Sequence, residues 1–323
     1  MLQIIEMVAP LFGLILLGYI SGRLNRITLE GLAWMNFFIM YIALPPLIYK
    51  LLAQTPLEEF RNASFLLKTS FSTFTIFFLC FFIAKFRQQS TENSTIQGFA
   101  GAYGNIGYLG PPLAMAAFGP EAGVPVALIF CLDNTMHFTL APLLMAFSND
   151  KRSNDKRNKD KRPPLLPMLL GIVKKVLSHP LILSTIAGIA AASAQFQPPV
   201  ALDSLLTMLA SAAAPCALFV MGVSAALRPL KRVPVELSYL VPIKLVLHPV
   251  LVYLLLKPMS DLPSVWLHAA VLMAALPAAT NVFVLAQQYD VWVERASSAV
   301  VVSTLFSVVS LTLWLYLLSN GLR

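Results

Sequence analysis

An apolar run in the first half of the chain has the length of a membrane-spanning helix but not the sequence of one. The run extends from Ile96 to Phe118, which is enough to cross a bilayer. Four glycines between positions 101 and 110 and the pair Pro111-Pro112 interrupt it, and proline removes a hydrogen bond from a helix interior. Broken backbone at membrane depth is tolerated only where protein or a water-filled cavity satisfies it. We therefore predict two half-helices that meet near the bilayer midplane, with Asn105 at the break.

A second apolar run, much later in the chain, is interrupted in the same way. It extends from Val265 to Gln287, and Pro277, Thr280 and Asn281 lie inside it. Interrupted spans at corresponding positions of two halves are typical of the binding sites of secondary transporters. The two breaks therefore predict a carrier whose substrate site lies where they meet.

Composition indicates the class of protein to which these runs belong. The chain has 323 residues, of which 58% are hydrophobic and 12% are charged, and its mean hydropathy is +0.74. Soluble proteins contain about 25% charged residues. We predict an integral, multi-pass, all-α membrane protein with ten transmembrane helices. The ten apolar spans are Ile4–Ile20, Leu32–Leu52, Phe65–Ala84, Ile96–Phe118, Val124–Phe147, Pro180–Ala194, Leu205–Leu227, Leu237–Leu256, Val265–Gln287 and Ala299–Leu318.

The distribution of positive charge predicts the orientation. Between spans five and six lies a polar stretch, Asp150–Pro164, with seven basic and three acidic residues. If this stretch is cytoplasmic, seventeen of the 23 Lys and Arg residues lie inside, five lie outside and Lys244 lies within a span. That bias follows the positive-inside rule and predicts N-out and C-out in a bacterial inner membrane. It also explains the net charge of +8 without a nucleic-acid partner.

The polar stretch also divides the chain into two sets of five spans. We predict a first five-helix repeat over residues 1–147, a cytoplasmic linker over 148–164 and a second five-helix repeat over 165–323. Because each set contains an odd number of spans, the second enters the membrane with the opposite orientation. Two related halves in this arrangement form an inverted repeat, in which spans four and nine, the two broken ones, correspond.

The breaks suggest what the site binds. A half-helix that starts within the membrane presents free amide groups and a positive dipole end, which suit a carboxylate. The second half of span four would start near Gly110–Pro112, and that of span nine at Thr280 or Asn281, either of which could cap it. These groups could also serve only to satisfy broken backbone. The predicted substrate-binding residues are Asn105, Gly107, Tyr108, Pro111, Pro112, Pro277, Thr280 and Asn281.

Two pairs of ionisable residues inside spans are candidates for coupling. Asp133 and His137 in span five, and Lys244 and His248 in span eight, are each four residues apart and so share a helix face. Ionisable groups at this depth are functional candidates by default. Asp133 and His137 could form a proton relay or a structural pair. Lys244 could pair with Asp133, attract an anionic substrate, or extend to the cytoplasmic surface.

Four motifs of the chain are those of a known family. The motifs are GNIGYLGPPLAMAAFG (Gly104–Gly119), APCALFVMG (Ala214–Gly222), KLVLHP (Lys244–Pro249) and LPAATNVFVLAQQY (Leu276–Tyr289). They resemble the auxin efflux carrier family of membrane transporters, in particular its bacterial malonate and malate type. The resemblance covers the whole chain. It implies an X-shaped crossing of the broken spans with an organic anion beside it. The Asn-Pro that is usual at the start of span six appears here as His179-Pro180, so no role is carried over to that position.

The resulting hypothesis is a secondary active transporter of a small mono- or dicarboxylate that works by alternating access, with proton coupling as one option. A sodium-coupled symporter of the bile-acid symporter type, a non-transporting membrane sensor and a membrane-embedded enzyme are the alternatives. The paired breaks favour transport over both the sensor and the enzyme, since neither needs inverted symmetry. The sequence predicts no metal and no cofactor, and the partners are the anion and membrane lipid. The substrate, the direction of transport, the coupling ion and the oligomeric state, including a homodimer, are not determined by the sequence.

Overall fold

The computed structural model describes residues 2–25, 27–56, 58, 62–152, 170–171, 174, 177–227 and 233–320. Over these residues the protein is all-helical, and its only β-type pairing is one isolated bridge. The first residues of the predicted linker 148–164 continue a helix as far as Arg152. The rest of that linker lies outside the described residues.

The helices follow the order of the apolar runs, with two π-helical segments inserted. In chain order they are α1 (Leu2–Leu24), α2 (Leu29–Phe37), π1 (Phe38–Ala43), α3 (Leu44–Ala53), α4 (Ala63–Phe86), α5 (Thr91–Ala102), α6 (Gly110–Phe118), α7 (Gly123–Arg152), α8 (Pro180–Ser193), α9 (Val200–Leu227), α10 (Leu237–Pro242), π2 (Ile243–Leu247), α11 (His248–Leu256), α12 (Ser264–Ala275), α13 (Thr280–Gln288) and α14 (Val293–Asn320).

Helix length and polarity confirm a multi-pass membrane protein. Among the described residues, six continuous helical stretches are long and apolar enough to cross a membrane, and α1, α8 and α12 contribute shorter apolar segments. On α4, Phe71, Phe74, Phe78 and Phe82 are exposed at helical spacing. A large apolar stripe that no protein covers suits contact with lipid. The number of ten spans remains a prediction, because several of these helices are too short to cross a membrane alone.

Both predicted breaks occur where the glycines and prolines lie. α5 ends at Ala102 and α6 begins at Gly110, while α12 ends at Ala275 and α13 begins at Thr280. The prediction that Thr280 or Asn281 caps the second half of span nine is wrong. The N-cap is Ala279, which makes no side-chain cap. The extended backbone before α13 instead forms hydrogen bonds with the other break.

The helices pack into two bundles. α1 packs most extensively against α9, and α3 packs against α8 and α9, so that α1, α2–π1–α3, α8 and α9 form the first bundle. The second bundle contains α4, α5–α6, α7, α10–π2–α11, α12–α13 and α14. Smaller contacts between α3 and α7 and between α1 and α14 join the bundles. The two broken helices lie in the second bundle, and the first bundle flanks them.

Two glycines allow the close approach of α1 and α9. A Cβ atom at Gly18 would lie 2.0 Å from the Phe219 carbonyl oxygen, and one at Gly222 would lie 1.9 Å from the Ile15 carbonyl oxygen. No side chain fits at such distances, so these helices meet backbone to backbone. Small residues at an interface serve the same purpose in membrane helix pairs generally.

The two π-helical segments precede prolines. π1 leads into Pro45 and Pro46, and π2 leads into Pro249, where a proline ring clashes with the carbonyl four residues earlier. Widening the helix locally relieves that clash but leaves carbonyl groups without their usual amide donors. For Pro249 the affected carbonyl is that of Leu245, which accepts a hydrogen bond from Trp314 Nε1 at 2.9 Å. Trp314 on α14 therefore satisfies the backbone that π2 frees.

We expect Trp314→Phe to destabilise the protein by about 1–3 kcal/mol, because the buried Leu245 carbonyl would lose its donor. Thermal unfolding of the purified protein in detergent measures the change. Trp34→Phe is the matched control, since the Trp34 side chain is 73% exposed on α2. Equal melting temperatures for the two variants would show that the hydrogen bond contributes little.

Candidate functional site

The two breaks hydrogen-bond to each other through their backbones. The Asn105 amide donates to the Pro277 carbonyl at 2.7 Å, and the Ala279 amide donates to the Tyr103 carbonyl at 3.0 Å. These bonds form an antiparallel bridge between Gly104 and Ala278. The polar backbone that the prolines and glycines release is thereby satisfied within the protein, as burial requires. We call the segments 103–109 and 276–279 together the crossing.

A small cavity lies directly at the crossing. Its volume is about 20 Å³, close to the space that one water molecule occupies. Five of the predicted site residues line it: Asn105, Gly107, Tyr108, Thr280 and Asn281. The other three do not. Pro111 and Pro112 lie in the first turn of α6, and Pro277 contributes its carbonyl to the crossing.

Side chains at the crossing connect it to the first bundle. The Asn105 amide Nδ2 donates to Met221 Sδ on α9 at 3.0 Å, and the Tyr108 hydroxyl donates to Asn36 Oδ1 on α2 at 3.1 Å. Both donors are buried. A thioether sulfur is a weak acceptor. Asn105 is therefore held by an interaction that a stronger acceptor could replace.

Helix dipoles make this cavity favourable for an anion. α13 starts at Thr280, and both Thr280 and Asn281 line the cavity in its first turn. α6 starts nearby, at Gly110. Helix N-termini carry partial positive charge and free amide groups, which favour a carboxylate. None of the residues lining this cavity is an ionised cation.

A second cavity of about 10 Å³ lies on the other side of Gly104, which lines both. Asp133, Lys244 and His248 meet there, although they come from α7, π2 and α11. The Lys244 ammonium donates to the Ala274 carbonyl at 2.6 Å and lies 3.1 Å from His248 Nδ1. Lys244 is 1% exposed, so it does not extend to the surface. We call Asp133, Lys244 and His248 the charged cluster.

The structure places His137 apart from this cluster. Its ring stacks on Tyr103 with centroids 4.6 Å apart and contacts Phe99 edge-on at the same distance. The Tyr103 hydroxyl in turn donates to Asn134, and Tyr103 and Asn281 line the same cavity. The two predicted coupling residues of α7 therefore have different neighbours. Asp133 belongs to the charged cluster, whereas His137 packs against Phe99 and Tyr103.

Several residues at the site were not selected from the sequence. They are Asn36, Thr73, Tyr103, Asn134, Met221 and Ser303. Ser303 Oγ accepts a hydrogen bond from the Ala278 amide at 3.1 Å, and Thr73 lines the same cavity as Asp133. Asn134 had a detectable signal, since it follows Asp133 inside an apolar span. A hydroxyl or thioether in a membrane helix is too common to be selected this way. No group of three or more His, Cys, Asp or Glu side chains suited to a metal occurs among the described residues.

A groove of about 630 Å³ meets the crossing cavity at Thr280. It lies between α1, α9 and α14 and is mostly apolar. Its lining includes Arg23, which donates to the Tyr19 hydroxyl at 3.2 Å, and also Met221 and Thr280. Thr280 also lines the crossing cavity. The side chains of Met221 and Thr280 thus separate the groove from that cavity.

Comparison with known proteins gives full-length matches. Residues 3–315 match the model of the family described as "Membrane transport protein". A Rhizobium meliloti protein named "Putative malonate transporter" is 50% identical over 322 residues, covering 99% of this chain and 98% of the relative. An "Uncharacterized transporter" of Methanothermobacter thermautotrophicus is 26% identical, covering 96% of each chain. The mouse "Lysosomal cholesterol signaling protein" is 26% identical over 92% of this chain and 35% of its own length.

Proposed function

Because the chain belongs to the membrane transport protein family, the auxin efflux carrier family that its motifs resemble, we propose that it is a secondary active carrier of a small organic anion. The observation that carries the proposal is the crossing. Two broken helices meet there, their backbones are paired, and the buried Asn105, the half-buried Asn281 and a helix N-terminus face one cavity. This is the arrangement with which transporters hold a substrate at the middle of the membrane.

A dicarboxylate of the size of malonate is the proposed substrate. The name of the Rhizobium relative supports this class, and so does the chemistry of the crossing. Helix N-termini and asparagine amides donate to a carboxylate without adding a full positive charge. Arg23, which lines the groove, would attract an anion towards them. A cavity of about 20 Å³ is too small for malonate, so binding requires the bundles to separate at Met221.

We propose alternating access as the mechanism, on a fold of ten spans related by an inverted repeat. The first bundle contacts the crossing through Asn36 and Met221, which are single side-chain contacts to Tyr108 and Asn105. Such contacts can break and form as one bundle moves past the other. In the predicted orientation, the groove that contains Arg23 opens towards the cytoplasm. A matching route on the outer side would open when the groove closes.

Proton coupling through the charged cluster is the proposed source of energy. Asp133, Lys244 and His248 lie together, fully inside the second bundle, and share Gly104 as a wall with the crossing cavity. Gain or loss of a proton there changes the charge beside the substrate. Tyr103 contacts His137 and Asn134 of α7 and lines the crossing cavity with Asn281, so protonation at α7 could alter the substrate site. Sodium coupling remains the alternative within transport.

Uptake of labelled malonate into vesicles that contain the purified protein tests the function. We expect accumulation of unchanged malonate when the vesicle interior is alkaline, and competition by other small dicarboxylates. Binding without flux would identify a sensor, as the name of the mouse relative suggests for that protein. A chemically altered product would identify an enzyme. Either result would refute the carrier proposal.

The predicted orientation has a direct test in labelling from outside the cell. A cysteine placed at Ser153 in the linker should resist a membrane-impermeant thiol reagent added to intact cells, because the excess of basic residues predicts that the linker is cytoplasmic. A cysteine at Ser260, between α11 and α12, should react readily. All native cysteines, Cys80, Cys131 and Cys216, would first be changed to serine. The reverse labelling pattern would overturn the orientation.

A further inference from the structure

The Lys244 ammonium lies between the two breaks of the crossing. α12 ends at Ala275, so the Ala274 carbonyl belongs to the last turn, whose carbonyls lack intrahelical donors. That carbonyl accepts the Lys244 hydrogen bond at 2.6 Å. From the other break, Gly104 approaches so closely that a Cβ atom there would lie 3.2 Å from Lys244 Nζ. The negative end of one half-helix therefore holds a cation directly beside the second break.

The surroundings of this ammonium are those of a cation site. Asp133 and Thr73 supply a carboxylate and a hydroxyl, and the Ala274 carbonyl supplies a third oxygen. Ser72 lines the same cavity, is 0% exposed, and its Oγ has no hydrogen-bond partner among the described residues. Carbonyl oxygens at half-helix ends, carboxylates and hydroxyls are the hard ligands that transporters use for Na⁺. Among these described residues, the only oxygen that bonds the ammonium is the Ala274 carbonyl, so the oxygens of Asp133, Thr73 and Ser72 remain for another cation.

Charge balance explains why such a site would not also bind sodium. The Lys244 ammonium and the Asp133 carboxylate line one buried cavity and neutralise each other, and His248 faces the ammonium. A sodium ion added to this set would leave an uncompensated positive charge in a low-dielectric interior, which is strongly unfavourable. Without Lys244, the carboxylate would lack its counter-charge, and an external cation would supply it.

We propose that the Lys244 ammonium is a resident cation that takes the place of a coupling sodium ion at the crossing. Its removal should convert the cavity around Asp133 and Ser72 into a sodium site. This inference deepens the proposed carrier function, and its consequence for coupling rests on that proposed function. It predicts that the wild-type protein does not bind Na⁺ at this cavity and that its transport is not coupled to sodium.

Thermal unfolding of Lys244→Ala without substrate tests the proposal. We expect the melting temperature of this variant to be about 3 °C or more higher in NaCl than in choline chloride at equal ionic strength, because a ligand that binds only the folded state stabilises it. The wild type should melt equally in both salts. The double variant Lys244→Ala/Asp133→Asn should lose the response, because the charged ligand for Na⁺ is gone.

Each outcome has a defined meaning. Three results would overturn the proposal. The first is an equal melting temperature in both salts for folded Lys244→Ala. The others are a higher melting temperature in NaCl for the double variant or for the wild type. If Lys244→Ala cannot be purified in either salt, Lys244→Gln, which keeps most of the side-chain volume, is judged by the same criteria. These melting temperatures are measured without substrate and without transport, so they do not depend on whether the protein is a carrier. A failure of the carrier proposal would appear separately, as absent malonate uptake into vesicles.

Discussion

Asn105→Ala is expected to lower the affinity for the transported dicarboxylate tenfold to hundredfold, a loss of about 1.4–2.7 kcal/mol. The Asn105 side chain is 4% exposed and lines the cavity between the two breaks. A carboxylate that binds there without its donor keeps an unpaired oxygen in a dry site, which costs more than the hydrogen bond alone. The present partner of Asn105, Met221 Sδ, is a weak acceptor. The Asn105 amide therefore readily exchanges this hydrogen bond for one to the substrate.

Binding of malonate to the purified protein measures this effect, with the melting temperature without substrate as a check on folding. Asn93→Ala is the matched control, since Asn93 belongs to the same broken span but bonds Gln89 near the start of α5. Its affinity should equal that of the wild type. Asn281→Ala should act in the same direction as Asn105→Ala, because Asn281 lines the same cavity. Unchanged affinity in a stable Asn105→Ala protein would place the site elsewhere, with the Lys244–His248 face as the next candidate.

Asp133→Asn is expected to abolish concentrative uptake driven by a proton gradient while leaving exchange of substrate for substrate. The Asp133 carboxyl is buried and lines one small cavity with Lys244, His248 and Thr73. Asparagine keeps the shape of the side chain but cannot bind and release a proton. Exchange needs only the conformational change of the loaded carrier, so it does not require that step.

Counterflow and gradient-driven uptake in the same vesicles separate these two activities. Asp203→Asn provides the matched control, because Asp203 pairs with Lys50 at 2.7 Å on the first bundle, away from the crossing. It should retain accumulation and its dependence on pH. Accumulation by Asp133→Asn with the dependence on pH unchanged would show that Asp133 is structural. Loss of exchange as well as uptake would show that the carboxylate is needed to hold Lys244 and not to carry a proton.

Spacing along a helix predicted some of these neighbourhoods and not others. Lys244 and His248 were predicted to share a face, and their nitrogens lie 3.1 Å apart. Asp133 and His137 have the same spacing, but one lies at the charged cluster and the other stacks on Tyr103. Residues one turn apart differ by about 6 Å along the axis, which is enough to meet different neighbouring helices. Only the neighbours determine whether a shared face becomes a shared site.

The capping prediction for the second break failed for a related reason. Thr280 and Asn281 have side chains that can cap a helix, and the sequence offered no competing partner. In the structure α13 starts one residue after Ala279, whose amide is committed to the Tyr103 carbonyl of the other break. Hydrogen bonds between two segments more than 170 positions apart therefore set the start of this helix.

What the sequence determined by itself is the membrane character, the two breaks and the asparagines within them. Those features are local: apolar length requires a bilayer, proline and glycine interrupt a helix, and a buried amide needs partners. The tertiary structure alone decided that Lys244 lies beside Gly104 and Asp133, and that Met221 and Asn36 reach the crossing. These contacts depend on how whole helices pack, because a lysine in an apolar run has no preferred partner until folding places a carbonyl and a carboxylate around it.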